Sequence, residues 1–196
     1  FFVDMGERLV KIIVIGPSMS GKTSSIQRFC RQGAITQGYR ATIGADICTR
    51  SILWDDDLTI TLQLWDLGGQ DHFANMSRLY YEGSVGCIVV FDTSDRESLS
   101  KAVFWKKDLD SKATLPSGSI LPSVLFANKV DLQKNDWVTD SFMEKFCAEN
   151  DFIGWFETSA VDLEDQGIET GVKFLLNEII SVVPDLSDGL SLKSDT

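Results

Sequence analysis

Gly16-Pro17-Ser18-Met19-Ser20-Gly21-Lys22-Thr23 sets a lysine and a hydroxyl side by side behind two bracketing glycines. The spacing fits G-x-x-x-x-G-K-[ST], in which a glycine-bounded loop wraps a phosphate in backbone N–H groups. The N-terminus of the helix that follows adds positive partial charge. On this reading Ser18, Met19, Ser20, Gly21, Lys22, Thr23 and Ser24 surround the phosphates of a nucleotide. Lys22 reaches the β- and γ-phosphates, and the Thr23 hydroxyl takes one position on an octahedral Mg²⁺. The bland alternative is a glycine turn ahead of an ordinary helix. Four fixed positions match by accident about one time in a hundred in a chain of this size.

Two later stretches narrow the chemistry. Asp66-Leu67-Gly68-Gly69-Gln70 closes an alternating apolar pattern, which puts Asp66 at the C-terminal end of a strand. Open α/β sheets place their ligands there. The Asp66 carboxylate can hold Mg²⁺ through water. Gly69 can bring its backbone N–H close to a γ-phosphate because no side chain intervenes, and Gln70 can orient an attacking water. Asn128-Lys129-Val130-Asp131 follows a short apolar run. Guanine offers an N1–H and a 2-amino group side by side, and an ionised Asp131 can accept from both. Adenine has no such pair, and a buried carboxylate left without donors is costly, so the contact discriminates. Lys129 can lay its aliphatic stem over the base. Each stretch alone is compatible with a plain turn; their order behind a phosphate loop favours binding.

The elements that must position these residues are legible in outline. Leu9–Ile15 reads as a buried strand, and Ile26, Phe29 and Cys30 recur at helical spacing behind the loop. Residues 32–42 form a polar, exposed connection. Asp46–Trp54 is a strand that Asp55-Asp56-Asp57 turns into a second, where Leu58, Ile60, Leu62 and Leu64 alternate with polar neighbours. This pair is expected to be an antiparallel hairpin. Cys87–Phe91 and Val124–Ala127 suit strands buried on both faces. Leu99, Ala102, Val103 and Lys106 mark one helix and Phe142, Phe146 and Cys147 another. Gly154–Thr158 is a last short strand. A stripe from Ile168 to Val183 forms a final helix, stopped by Pro184. The alternation implies an α/β layer with a mostly parallel sheet. One domain is expected over residues 8–184, with an N-terminal extension at 1–7 and a flexible tail at 185–196.

Composition excludes several classes. A net charge of -11 over 196 residues argues against non-specific binding to nucleic acid or anionic membrane. No apolar run approaches the roughly 20 residues that span a bilayer. Four dispersed cysteines without a C-x-x-C pair point to a reduced, cytosolic chain with neither disulfide framework nor zinc site. His72, the single histidine, cannot build a His-rich metal centre.

Taken together, the motifs resemble those of Ras-superfamily small GTPases of the Rab branch. Gly16–Thr23, Thr42-Ile43-Gly44, Trp65–Gln70, Asn128–Asp131 and Glu157-Thr158-Ser159-Ala160 fall in that family's order and spacing over about Leu9–Val183. Tyr39-Arg40-Ala41-Thr42, Leu67, Asn75-Met76-Ser77-Arg78, Trp105–Pro116 and Gly154–Ala160 resemble the Rabs of lysosome-related organelles such as melanosomes. The resemblance implies a three-layer P-loop NTPase fold, with a six-stranded, mostly parallel sheet, one antiparallel edge strand and five flanking helices. Gln32–Ala45 would be the first switch and about Leu67–Tyr81 the second. Thr42 would bind Mg²⁺ through its hydroxyl and the γ-phosphate through its N–H, and Tyr39 would cover the phosphates. Ser159 and Ala160 would contact guanine O6 through their backbone, with Val161 beside the base. Ile43, Gly44, Ile47, Trp65 and Tyr80 would face effectors. The implied protein is a monomeric GDP/GTP switch for vesicle traffic on the cytoplasmic face of endomembranes and in the cytosol. Its implied partners are a guanine-nucleotide exchange factor, a GTPase-activating protein, a GDP-dissociation inhibitor and effectors. Without an arginine finger of its own, hydrolysis would be slow alone and accelerated by a partner, by about 10³–10⁵-fold in this reaction class.

The chain departs from the family pattern at four places. Met19 stands where glycine is usual, Ile35 where an aromatic packs on guanine, and Val161 where lysine follows Ser-Ala. If Met19 needs φ > 0, its side chain costs about 1–2 kcal/mol. Faster GDP release than from a typical Rab is therefore expected. The family usually ends in prenylated cysteines, whereas the last cysteine here is Cys147, so a tail truncated before its membrane anchor is expected. A nucleotide-bound scaffold that hardly hydrolyses is the alternative from outside the enzymes; Gln70 and Thr42 oppose it. A nucleotide kinase would need lid arginines and adenine preference, which the sparse later arginines and Asn128–Asp131 oppose.

Overall fold

The computed structural model describes residues 6–31, 41–55, 58–69, 77–132 and 136–183. Among the described residues there are six strands and five helices, in the order β1 (Gly6–Ile15), α1 (Lys22–Arg31), β2 (Ala45–Asp55), β3 (Leu58–Leu67), α2 (Ser77–Tyr81), β4 (Gly86–Asp92), α3 (Arg96–Lys112), β5 (Ser123–Asn128), α4 (Asp140–Glu149), β6 (Gly154–Thr158) and α5 (Gly167–Val182). The strand order is β2-β3-β1-β4-β5-β6. β2 runs antiparallel to β3 at one edge, and every other pairing is parallel. The expected six-stranded, mostly parallel architecture with one antiparallel pair is what the chain forms.

The sheet is covered on both faces because its central strands are apolar on both. In β1, Val10, Ile12 and Val14 pack with Ile26 and Phe29 of α1 and with Ile168, Val172, Leu175 and Ile179 of α5. The intervening Ile13 and Ile15 face the opposite layer, where Leu99, Ala102, Trp105 and Leu109 of α3 meet Met143 and Cys147 of α4. Period-two alternation sorts each strand's side chains between the two layers. β1 begins two residues ahead of the expected domain boundary, since Gly6 and Glu7 pair with Leu58 and Thr59 at the start of β3. Leu9, read as part of a buried strand, is 60% exposed. It shares a strand face with Ile13 and Ile15 but lies toward the end of the sheet remote from the loop, beyond the helical cover.

One layer holds an imperfection. Ser25 of α1 is buried at 3% exposure, and its hydroxyl has no hydrogen-bond partner. It lines a cavity of about 10 Å³ between Val14, Ile26, Phe29, Leu64, Phe126 and Val172, roughly the room of one water.

The topology puts the chemistry at one edge. β1, β3, β5 and β6 are parallel, so the phosphate loop, Asp66, Asn128 and Ser159 all emerge where their strands end. That is the carboxyl edge at which open α/β sheets bind ligands.

Candidate nucleotide site

The loop after β1 closes around its own lysine. Lys22 Nζ donates to the carbonyls of Gly16 at 3.0 Å and Pro17 at 2.8 Å. Burial lowers its pKa from 10.5 to about 8, against the raising effect of Asp66. A cation held in so dry a place is stabilised by an anion set against it. Gly21 adopts φ +94, and a β-carbon there would lie 2.1 Å from Asn128 Nδ2. Glycine thus lets Asn128 donate to Ser20 O at 2.9 Å, tying the phosphate loop to the end of β5. Thr158 of β6 donates to Asn128 Oδ1 at 3.2 Å and completes the brace.

Met19 lies at φ 64, in the left-handed region, with 64% of its surface exposed. The strain expected from its side chain is therefore present in the backbone. Ser18 is exposed, Ser24 half-buried, and Ser20 buried with an unpartnered Oγ.

Thr23, Thr42 and Asp66 converge from three elements. Thr23 opens α1, Thr42 precedes β2, and Asp66 ends β3. The two hydroxyl oxygens are 3.0 Å apart. Thr23 donates a short hydrogen bond to Asp66 Oδ2, and Thr42 donates to the same oxygen at 3.3 Å. Asp66 Oδ1 is buried without a partner. Burial raises the Asp66 carboxyl above its usual range, although the two hydroxyls and Lys22 pull the other way. Two hydroxyls around a dry carboxylate with a spare oxygen fit Mg²⁺, which takes one or two carboxylates and leaves positions for water and phosphate. Among the described residues there is no cluster of three or more His, Cys, Asp or Glu that could hold a metal.

Gly69 presses on the phosphate loop. A β-carbon there would meet Ser18 N at 2.5 Å, Pro17 C at 2.6 Å and Lys22 Nζ at 2.7 Å. Only glycine permits this approach. Gln70, Tyr39 and Ile35 lie outside the described residues.

At the other end of the site, Asp131 Oδ1 accepts from Ser159 Oγ at 2.6 Å, and Ser159 N donates to Asp165 Oδ2 at 2.9 Å. The Asn128–Asp131 turn and the loop after β6 are therefore one unit. Lys129 sits at φ 70 and is anchored to Asp92 at 2.6 Å. Asp92 also accepts from Ser94 N and Oγ. Burial works to raise the Asp92 carboxyl, but Lys129 and Ser94 outweigh it and leave the pKa lowered. Ala160 is buried beside the turn, while Val161 is 64% exposed. The bracing residues Asp92, Ser94, Thr158 and Asp165 were not singled out from the sequence as site positions. Thr158 had a signal there, as the neighbour of Ser159; Ser94 and Asp165 act locally, two and six residues from their partners, whereas Asp92 meets Lys129 across a separation of 37.

Four of the five expected surface positions fall into two neighbouring pairs. Ile47 is paired with Trp65 across β2 and β3. A β-carbon on Gly44 would lie 3.6 Å from Tyr80 Oη, which places the start of β2 beside α2. Ile43 and Ile47 are 87% and 48% exposed. Lys11 Nζ lies 4.0 Å over the Trp65 ring.

Comparison with known proteins agrees with this geometry. The Ras family profile matches residues 11–181. Rab-32 of Sus scrofa is 46% identical over 175 residues, covering 89% of this chain and 76% of the relative. Rab-32A of Dictyostelium discoideum is 42% identical over 176 residues, with 89% and 79% covered. Rab-7L1 of Rattus norvegicus is 39% identical over 180 residues, with 90% and 86% covered. With a P-loop, an Asp-x-x-Gly and an Asn-Lys-x-Asp gathered on one edge of its sheet, the chain belongs to the Ras family and, within it, to the Rab small GTPases related to Rab-32.

Proposed function

We propose that this GTPase reads its nucleotide through the junction of Thr23, Thr42 and Asp66. The observation that carries the proposal is the meeting of these three side chains at a carboxylate with an unpartnered oxygen. They join the phosphate loop to the segment before β2 and to the end of β3, the two segments expected to switch. Thr23, Thr42 and Asp66 (through water) would hold Mg²⁺, which when bound neutralises charge on the phosphates during transfer.

The chain's own groups do the rest. Lys22, withdrawn from water, sets its charge against the β- and γ-phosphates. Gly69 turns a backbone N–H toward the γ-phosphate at a distance no other residue allows, and Gln70 orients the attacking water. Tyr39 covers the phosphates. Asp131 selects guanine, held in place by Ser159, while Lys129 is held by Asp92. Loss of the γ-phosphate removes the anion that Thr42 and Gly69 grip, and both segments are released. Ile43, Gly44, Ile47, Trp65 and Tyr80 then present a different face to effectors.

The reading extends to partners that the surface alone does not name: an exchange factor, a GTPase-activating protein, a GDP-dissociation inhibitor and effectors of traffic to lysosome-related organelles. The chain would act as a monomer, in the cytosol and on the cytoplasmic face of endomembranes, attached through a prenyl group. No helix among the described residues is long and apolar enough to cross a membrane. Single-turnover hydrolysis of bound GTP tests the core of the proposal. Gln70→Leu should slow it by at least about tenfold, the loss expected when the attacking water is no longer oriented. Equal rates would return the chain to the scaffold reading.

A further inference from the structure

The loop between β6 and α5 carries Ser159 and Ala160, the residues expected at the guanine end of the site. Its root is buried: Thr158, Ser159 and Ala160 are covered, and Ser159 is tied to Asp131 and Asp165. Its outer half is not, since residues 161–164 are all exposed. There the backbone is braced by the loop's own side chains. Glu164 N donates to Asp162 Oδ1 at 2.9 Å, and Asp162 N to Ser159 Oγ at 3.1 Å. Bonds inside a loop shape it, but they do not set where its outer half lies against the rest of the protein.

Arg28 of α1 supplies a contact from outside the loop. Its Nη2 donates to Leu163 O at 2.6 Å, across 135 positions of sequence. Hydrogen bonds with a charged donor are among the strong ones. Its Nη1 is buried without a partner, so the guanidinium gives up part of its hydration to reach Leu163. The next residue, Phe29, locks this part of α1 to the sheet. Its side chain is buried, its ring lies 4.3 Å from the Arg50 guanidinium, and its carbonyl accepts from Arg50 Nη1 at 3.0 Å. Arg28 therefore projects from a fixed point. The same helix begins with Lys22 and Thr23, so α1 faces the phosphate end of the site with its first turn and the guanine loop with its second.

We propose that Arg28 is a positioning residue for guanine: through Leu163 O it holds the loop after β6 where Ser159 and Ala160 meet the base, and so slows nucleotide release. The proposal rests on the guanine site described under the proposed function. Arg28 does not touch the nucleotide and acts through the loop. Without the Leu163 contact the internal bonds still shape the loop, but its outer half is free to move. The backbone N–H groups aimed at O6 must then be ordered each time a base binds, and ordering even a few residues is costly. The loss falls on contacts to the base, whereas the junction of Thr23, Thr42 and Asp66 keeps its hydrogen bonds.

Stopped-flow release of labelled GDP, with competition by GDP, 6-thio-GDP and ADP, tests this on the whole chain and two variants. Arg28→Met keeps an unbranched stem and a good helix former but has no donor. Arg28→Lys keeps a cation able to donate to a single carbonyl. Arg28→Met should release GDP about tenfold faster, the lower end of what a hydrogen bond to a charged group contributes. Its preference for GDP over 6-thio-GDP should also shrink, because sulfur is the poorer acceptor for a loop N–H and only a held loop exploits the difference. Arg28→Lys should restore both. A general loss of stability would speed release without changing that preference. Arg28→Met with wild-type release, faster release at an unchanged preference, or Arg28→Lys no better than Arg28→Met would each overturn the proposal. A wild-type chain that holds GDP no more tightly than ADP would overturn the guanine site itself, and the role of Arg28 with it.

Discussion

Single residues decide how tightly this site can hold its ligand. Met19 is the clearest case, a long side chain at φ 64 in a loop built to wrap phosphates. Met19→Gly should relieve about 1 kcal/mol of backbone strain, partly offset by glycine's greater freedom when unfolded. The measurable outcome is slower release of labelled GDP in stopped flow; release at an unchanged rate would show that neighbours already absorb the strain. Asp131, the proposed reader of guanine, would make the opposite kind of contribution, through donors that only guanine supplies. Asp131→Ala should weaken GDP binding by about 1.5–3 kcal/mol or more, the range for hydrogen bonds to a charged group, and leave the weak binding of ADP nearly untouched. Competition titrations would separate the two effects.

At the scale of elements, what matters is how helices and strand ends brace one another. Asp92, at the end of β4, holds Lys129 beyond the end of β5. Because the Asp92 carboxyl sits below its ordinary range, its contribution to stability is present above that range and disappears as pH falls through the lowered value. Asp92→Asn should therefore flatten the acid limb of the unfolding curve and quicken nucleotide release at neutral pH. A release rate identical to wild type would mean that Lys129 is positioned without it. α1 carries a defect of another kind. Ser25→Ala removes a buried hydroxyl without a partner, and should stabilise the chain by about 1 kcal/mol in denaturant titrations at fixed nucleotide. Any destabilisation would indicate an ordered water on Ser25.

At the scale of the whole molecule, Asp66 ties the phosphate loop and the segment before β2 to the end of β3. Its carboxyl is raised by burial, so the ionised form is disfavoured in the folded state. The sign follows: the folded chain holds this proton more tightly than the unfolded one, and stability falls as pH rises through the window between the ordinary and the raised value. Ionisation of Asp66 in the folded chain therefore puts an unfavourable charge in a buried place, which a divalent cation would offset. Adding Mg²⁺ to the nucleotide-bound protein should raise its melting temperature, corresponding to about 3 kcal/mol at a hundredfold excess over the dissociation constant. Chelation should accelerate release, and Asp66→Asn should abolish both responses. A melting temperature indifferent to Mg²⁺ would remove Asp66 from the metal's ligands.

What the linear sequence determined were features with a local cause. Alternation in Leu58–Leu64 specified a half-covered strand, the apolar runs at β4 and β5 specified buried ones, and glycines at fixed offsets marked the phosphate loop. Motif order then pointed to guanine and to a switch, because each motif is a contiguous stretch whose residue types are dictated by one ligand group. Tertiary structure alone decided what acts across distance. It set Asp92 beneath Lys129, Asn128 against Ser20, and Thr158 against Asn128. None of these pairs has a periodicity or spacing to betray it. Their partners are brought together by the parallel order of the sheet and by helices packed on both its faces, and a one-dimensional pattern carries no trace of which strand ends will be neighbours.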